Sequence, residues 1–432
     1  MADLLALSSR FIDSGIADEP VNRLNGQLSE VADGVAMIEA FSHVVLFKSD
    51  DGLVLFDTSL ESFGGQVLKS MRGWSDDAVR AIAYTHGHID HVGGAAAIVH
   101  EARERGRGKP QVIGHENVQP RFARYELTNG YNAAINARQF GGAGGGGRTG
   151  MAAGSAGHFG PAEWIAPDTE FSERMGFASG ALRFELRHAR GETDDHLWAW
   201  EPQRKAVVVG DFLTWVFPNA GNPQKVQRFP LDWAEALRAM AALEPELLLP
   251  AHGLPIAGRA RIAKVLDEVA GSLESLVRQT LEMMNAGARL DAIVHAVRLP
   301  KETLEKPYLK PIYDEPEFVV RNIWRQYGGW YDGNPSHLKP APDAAVAHEM
   351  AMLAGGAGVL ADRALALSQA GEHRLACHFA EMAALAEPDS HGVHGRRAEV
   401  YEARMKAELS LMARGIYGAA ARSSREVAGK ND

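Results

Sequence analysis

Residues 85–94 read Thr85-His86-Gly87-His88-Ile89-Asp90-His91-Val92-Gly93-Gly94. They follow directly on Val79-Arg80-Ala81-Ile82-Ala83-Tyr84, an apolar run of the length expected of a buried strand. Four side chains of metal-ligand type therefore stand at the end of a strand, where the chain turns. In extended chain, side chains two apart point the same way, so His86 and His88 are able to share one cation. Asp90 and His91 come slightly later and are placed to face a neighbouring one. The paired glycines allow a tight entry into a following helix. The order His-x-His-x-Asp-His after a strand is not that of an incidental His-rich loop.

On either side of this stretch the pattern is that of a layered α/β domain. Val44-Val45-Leu46-Phe47 and Leu53-Val54-Leu55-Phe56 flank Ser49-Asp50-Asp51-Gly52, a hairpin signature, and the second run ends in Asp57-Thr58. Residues 61–75 read as a helix. Val112-Ile113-Gly114, Phe184–Leu186, Leu197–Trp200 and Ala206–Val209 read as further strands. After His252 the period changes. Ile262, Val265, Leu266, Val269, Leu273, Leu276, Val277, Leu281 and Met284 are spaced mostly by three or four, which predicts a long amphipathic helix capped by Gly287. A short helix is expected over 291–299, stopped by Pro300. From Asp343 onward the chain is Ala-rich and helical. Leu360–Ala386, with Gly371 in a turn, reads as one helix–turn–helix unit, too few for a solenoid. Residues 141–150, GGAGGGGRTG, read as a flexible loop or linker, or as a mobile loop near the site. They lack the Lys-Ser/Thr of a phosphate-binding loop.

Composition narrows the chemistry. The 432 residues include 17 histidines and a single cysteine, Cys377, which excludes a disulfide framework, a Cys-rich zinc finger and an iron–sulfur cluster. Any metal must be held by histidine and carboxylate; Cys377 itself reads as a buried small apolar residue. The net charge of -10 argues against a nucleic-acid partner. No uninterrupted apolar run of about 18 residues suggests a membrane span. The N-terminus lacks a basic start, a sustained apolar run and a cleavage site, so no signal peptide is read and a cytoplasmic location is expected.

The motif at 85–94 resembles that of the metallo-β-lactamase superfamily, many of whose members are binuclear metal hydrolases. The resemblance implies three further ligands in order. Asp211, at the end of Val207-Val208-Val209-Gly210-Asp211, would bridge two metals. His252, after Leu247-Leu248-Leu249-Pro250-Ala251, would complete the second site. The third position departs from the usual His-Thr-Pro-Gly-His-Thr-x-Gly-His. Here it reads His188-Ala189-Arg190-Gly191-Glu192-Thr193-Asp194-Asp195-His196. His188, Glu192 and His196 are all candidates; alignment of the motif selects Glu192 and leaves His196 as a supporting residue. The implied set is His86, His88 and Glu192 on one metal, Asp90, His91 and His252 on the other, and Asp211 between them. Two zinc ions are the default for such ligands, with manganese or iron left open by the three carboxylates. Asp90 and Asp211 are the expected catalytic carboxylates.

A carboxylate at the third position is a feature of the zinc-dependent alkyl sulfatases. Gly328-Gly329-Trp330-Tyr331-Asp332-Gly333-Asn334-Pro335-Ser336-His337-Leu338 is similar to a segment those enzymes carry, and the Ala-rich stretch through Ala386-Glu387-Pro388 resembles their dimerisation domain, closing with Leu411-Met412-Ala413-Arg414-Gly415-Ile416-Tyr417-Gly418. The resemblance implies an α/β fold, an αββα metallo-β-lactamase-like sandwich over residues 1–265, a helical linker over 266–345 and an all-α dimerisation domain over 346–432. It also implies a homodimer and a small-molecule ester substrate, anionic with an apolar tail, cleaved by metal-activated water.

Two departures bear on the substrate. The bridging acid is often glutamate in that family but is Asp211 here. The sulfate-binding arginine that follows it has no match between Phe212 and Val226. Lys225 and Arg228 are the nearest basic substitutes, and Asn132, Asn136 and Arg138 resemble the region lining the family's sulfate pocket. Two divalent cations, three carboxylates and a hydroxide leave the site formally neutral, so an anionic substrate needs basic side chains outside the ligand set. A carboxylic ester or lactone hydrolase on the same scaffold is therefore the alternative. A non-catalytic dimeric scaffold with structural metals is a third reading, which metal content and folding after chelation would separate.

Overall fold

The structure is a computed structural model and describes residues 3–140 and 158–429. The glycine-rich stretch 141–150 lies outside the described residues. The described chain forms two units, one of residues up to 132 together with 158–329, the other of 133–140 together with 330–429.

Alternation along the strands sorts the first unit into layers. Strands β1 (Leu28–Ala32), β2 (Val35–Ile38), β3 (Val44–Ser49), β4 (Gly52–Phe56), β5 (Val79–Ala83), β6 (Gln111–His115) and β7 (Thr169–Phe171) form one sheet in that order. Strands β8 (Arg174–Ser179), β9 (Leu182–His188), β10 (Leu197–Glu201), β11 (Ala206–Gly210), β12 (Leu247–Pro250) and β13 (Ile256–Ala257) form a second, in the order β13-β12-β11-β10-β9-β8. Side chains at every second position share a face. Val45, Phe47, Val54 and Phe56 accordingly meet Phe184, Leu186, Ala206, Val208 and Leu249 between the sheets. Val44, Leu46 and Leu55 face the opposite way, onto Val67, Met71, Ile98 and Val99 of helices Gly64–Trp74 and Ala95–Glu104. Val207, Val209 and Leu248 face Trp233, Leu237 and Met240 of helix Pro230–Ala241 and the apolar side of helix Arg259–Asn285. The result is the αββα sandwich that the sequence suggests.

The pairs β4–β5, β5–β6, β6–β7 and β11–β12 are parallel. Parallel neighbours need a crossover, and the helices supply it: Gly64–Trp74 between β4 and β5, Ala95–Glu104 between β5 and β6, Pro230–Ala241 between β11 and β12. Parallel strands also end at one edge, so the loops after β4, β5, β11 and β12 emerge together. The hairpin is present, with β3 and β4 antiparallel and Ser49 opposite Gly52. The segment expected as a single helix over 61–75 is a 3₁₀ turn, Glu61–Phe63, followed by helix Gly64–Trp74.

Helix Arg259–Asn285 runs unbroken through residue 265, burying Ile262, Val265, Leu266, Val269, Leu273, Leu276 and Val277; Gly287 follows it with φ of +78°. Ile293, Val294, Val319, Val320 and Ile323 pack into the same core, so the sheet-bearing unit continues to Gly329. The second unit contains helices Asp343–Ala354, Ala357–Gln369, His373–Ala386, His391–Ala407 and Leu411–Ala428. Ala361, Ala364, Ala376, Ala380, Ala383 and Ala398 are buried in it, and small side chains let helices approach closely. Glycines at 355 and 371 take positive φ at the turns. Among the described residues no single helix is long and apolar enough to cross a membrane.

The glycine pair of the histidine motif has a steric reason. A Cβ on Gly94 would stand 2.1 Å from Thr58 O, and Thr58 in turn donates through Oγ1 to His91 O at 2.9 Å. Gly94→Ala should cost about 1–3 kcal/mol as an overpacked backbone contact, read as a lower urea midpoint with an unchanged slope.

Candidate metal centre

Each acidic or imidazole side chain at the sheet edge is delivered by a strand end. Tyr84 to His91 follow β5, Glu192 lies on the loop between β9 and β10, Asp211 follows β11 and His252 follows β12. Gly210 turns the chain into Asp211 with φ of +52°, and a Cβ there would stand 2.7 Å from His196 Cε1 and 2.8 Å from Thr85 Cβ. Only glycine serves that position.

Two triads lie side by side, and Asp211 belongs to one and faces the other. His86, His88 and Asp211 form one group able to hold a cation, and Asp90, His91 and His252 another. His86 Nε2 and His88 Nδ1 are 2.8 Å apart, and Asp211 Oδ2 is 4.0 Å from His86 Nε2. The other oxygen, Asp211 Oδ1, is 3.5 Å from His91 Nε2 and 3.6 Å from His252 Nε2. Asp90 Oδ2 is 3.6 Å from His91 Nε2 and 3.4 Å from His252 Nε2. Glu192 Oε1 joins the first group at 3.6 Å from His88 Nδ1.

The donor set fits a pair of cations. His91 Nε2 and Asp211 Oδ1 are buried polar atoms without a hydrogen-bond partner, and native interiors rarely leave such atoms unsatisfied. Imidazole nitrogens and carboxylate oxygens pointing inward at one another are the chemistry of a nitrogen–oxygen metal site. Burial alone would raise the Asp211 carboxyl, but the fields of His91 and His252 outweigh it and hold Asp211 well below the usual range. His91 goes the opposite way: burial lowers it, and Asp211, Asp57 and Asp90 together raise it well above an ordinary imidazole.

A second layer fixes these side chains. Asp57 Oδ2 takes His91 Nδ1 at 2.7 Å and Thr85 Oγ1 at 2.7 Å, while its Oδ1 takes the Thr85 backbone N–H. Asp195 Oδ2 accepts from Gly87 N, between the two histidines, and from Arg121 Nε, both at 2.9 Å; Arg121 also donates to Asp194. Glu192 Oε1 accepts from Asn219 Nδ2 at 2.5 Å and lies 2.5 Å from Arg228 Nη1. His196 is beside the centre and outside the triads. Its ring stacks on His86 at 4.5 Å, its Nδ1 donates to Leu197 O, and its Nε2 accepts from Asp211 N. Burial lowers it to about 4, which keeps Nε2 an acceptor. His188, weighed as a ligand in the sequence, stacks on His115 at 3.9 Å and donates to His196 O.

The residues suggested for substrate lie on two segments, helix Asn129–Phe140 and the stretch between β11 and helix Pro230–Ala241. For Lys225, burial and then the Arg228 charge lower the ammonium to about 7, with Glu192 and Asp90 opposing, and its Nζ is 5.6 Å from the Phe159 ring. Arg228 is buried against Glu192. Asn132 donates to Thr128 O and Oγ1, just before its own helix. Asn136 follows Asn132 by one turn of helix Asn129–Phe140 and is buried like it, and Arg138 lies in the last turn of the same helix. Tyr313, which sequence reasoning passed over, keeps its phenol proton: burial, then Glu192 and Asp90, raise it far above its usual value.

Residues 38–252 match the metallo-beta-lactamase superfamily, and residues 289–427 match the alkyl sulfatase dimerisation family. A linear primary-alkylsulfatase of a Pseudomonas species is 26% identical over 329 residues, covering 72% of this chain and 60% of its own. An alkyl/aryl-sulfatase of Saccharomyces cerevisiae is 25% identical over 406 residues, covering 88% of this chain and 61% of its own. The chain thus spans about six tenths of the length of these relatives. Its fold is that of a stereoselective inverting sec-alkylsulfatase from Pseudomonas, with a TM-score of 0.81 at 21% identity over 94% of this chain and 66% of that one.

The Arg121–Asp195 strut predicts a measurable cost. Asp195→Ala leaves a buried guanidinium with the half-exposed Asp194 as its carboxylate partner and frees Gly87 N. Urea unfolding should show a loss of about 3 kcal/mol, the low end for breaking a buried pair. Asp194→Ala, at the exposed arm, should cost no more than about 1 kcal/mol.

Proposed function

We propose, for a chain that carries a metallo-β-lactamase superfamily domain and an alkyl sulfatase dimerisation domain, that it is a homodimeric, binuclear metal-dependent hydrolase of alkyl sulfate esters. The observation that supports this reading above all is Asp211, with one carboxylate oxygen toward His86 and the other toward His91 and His252. His86, His88 and Glu192 would hold one zinc, Asp90, His91 and His252 the other, with Asp211 between them. Bound cations of this kind supply a water acidified toward neutral pH and a Lewis acid for an ester oxygen.

The chain's own residues do the rest. Asp90 is ionised, since His91 and His252 outweigh its burial, and its carboxylate is the acceptor that orients an attacking water. Asp57 fixes the His91 ring through Nδ1, leaving Nε2 to face the centre. Lys225 brings a cation to the same centre from the segment after β11, where the family's arginine is missing, and it is the group to receive an anionic ester. Phe159, beneath the Lys225 ammonium, offers an apolar surface to the carbon chain. The alternative, a carboxylic ester or lactone hydrolase, is favoured by the same observation of a lysine in place of an arginine.

Zinc-loaded protein assayed with dodecyl sulfate and with a lactone panel separates the two. Sulfate release without ester cleavage is expected, and the reverse would replace the proposal with the alternative. His86→Ala and Asp211→Ala should each abolish turnover; activity retained in either variant would contradict the site assignment. Lys225 adds a pH dependence. Its ammonium is charged below about 7 and neutral above, so KM for a sulfate ester should rise as pH passes from 6 to 8. For Lys225→Met that rise should disappear.

A further inference from the structure

We infer that Arg228 is a positioning residue matched to Glu192, and that the two together act as the uncharged equivalent of a histidine at the third ligand position. The inference deepens the metal-hydrolase reading and rests on it. Arg228 is not placed as a surface base. It is 2% exposed, and its backbone N–H and C=O are both held by the Asn322 side chain, at 3.3 and 2.9 Å. Its Nη1 lies 2.5 Å from Glu192 Oε1 and donates to Glu192 O at 3.0 Å. Asn219 Nδ2 holds the same Oε1 at 2.5 Å. Glu192, itself 4% exposed, is thus gripped by its main chain and its carboxylate at once, with His88 Nδ1 3.6 Å away.

A buried ion pair of this kind contributes little net stability over apolar side chains of the same volume, so holding the fold is a poor reason for it. Charge is a better one. Asp90, Asp211 and Glu192 bring three negative charges to a centre where two divalent cations are expected. The guanidinium cancels one of them at hydrogen-bond distance, in an interior where charges are weakly screened. Counted with Arg228, the centre carries the same formal charge as one with a neutral imidazole at the third position, and keeps its attraction for an anion. The tie to Glu192 O also fixes the loop that presents the ligand, as outer-shell partners of metal ligands do.

The test is a double-variant cycle on the full chain, read by zinc titration against a chromophoric chelator, which needs no turnover. Glu192→Gln leaves the buried Arg228 charge uncompensated beside the cations and should weaken zinc binding by about 10–100-fold. Adding Arg228→Met removes that repulsion and should recover at least about tenfold of the loss. Independent residues would instead give a double variant no better than Glu192→Gln within about twofold, and that result overturns the inference. Arg228→Met alone should keep both zinc ions but bind sulfate, followed by calorimetry on the zinc-loaded protein, about tenfold more weakly. Unchanged sulfate binding would equally overturn it. Arg228→Lys keeps the charge and should hold sulfate binding within about threefold, which covers the case in which the methionine variant does not fold. If the protein cleaves no sulfate ester, the proposed function falls while the zinc cycle still reads the coupling.

Discussion

Asp211 has one oxygen toward His86 and the other toward His91 and His252, and the sheet edge is organised around that placement. Asp57, Asp90, Glu192 and Asp211 all crowd into one mostly buried region. Buried carboxylates are tolerated only when charge and hydrogen bonds answer them. Partners from other segments answer them: Asp57 has Thr85 and His91, Asp90 and Asp211 have His91 and His252, and Glu192 has Arg228 and Asn219. Parallel strands ending at one edge bring these groups together, which links the topology directly to the chemistry proposed for it.

The side chains that converge were legible because they are local to strand ends. His86, His88, Asp90 and His91 sit within one turn, and Asp211 and His252 each close an apolar strand, so the sequence shows both the ligand type and the element that carries it. The two-residue alternation that separates Val45 and Phe47 from Val44 and Leu46 was equally visible, and with it the layers. The supporting shell was not legible. Asp57 lies 34 residues from His91, Arg121 lies 74 from Asp195, and Arg228 lies 36 from Glu192. Nothing periodic joins such pairs, since the fold alone makes them neighbours.

From ligand types alone the centre is formally neutral and poorly suited to an anion. Arg228 alters that balance, because its guanidinium is pressed against the one carboxylate that departs from the usual superfamily motif. A departure at a ligand position and a buried cation beside it are more economically explained together than apart.

The central claim is that two cations share Asp211. Anomalous diffraction recorded at the zinc edge on crystals of the zinc-loaded protein tests it directly. Two peaks are expected, about 3.5–4 Å apart as in other two-metal sites, one within reach of His86, His88 and Glu192 and the other within reach of Asp90, His91 and His252. A single peak, or peaks that leave Asp211 outside both coordination shells, would contradict the account.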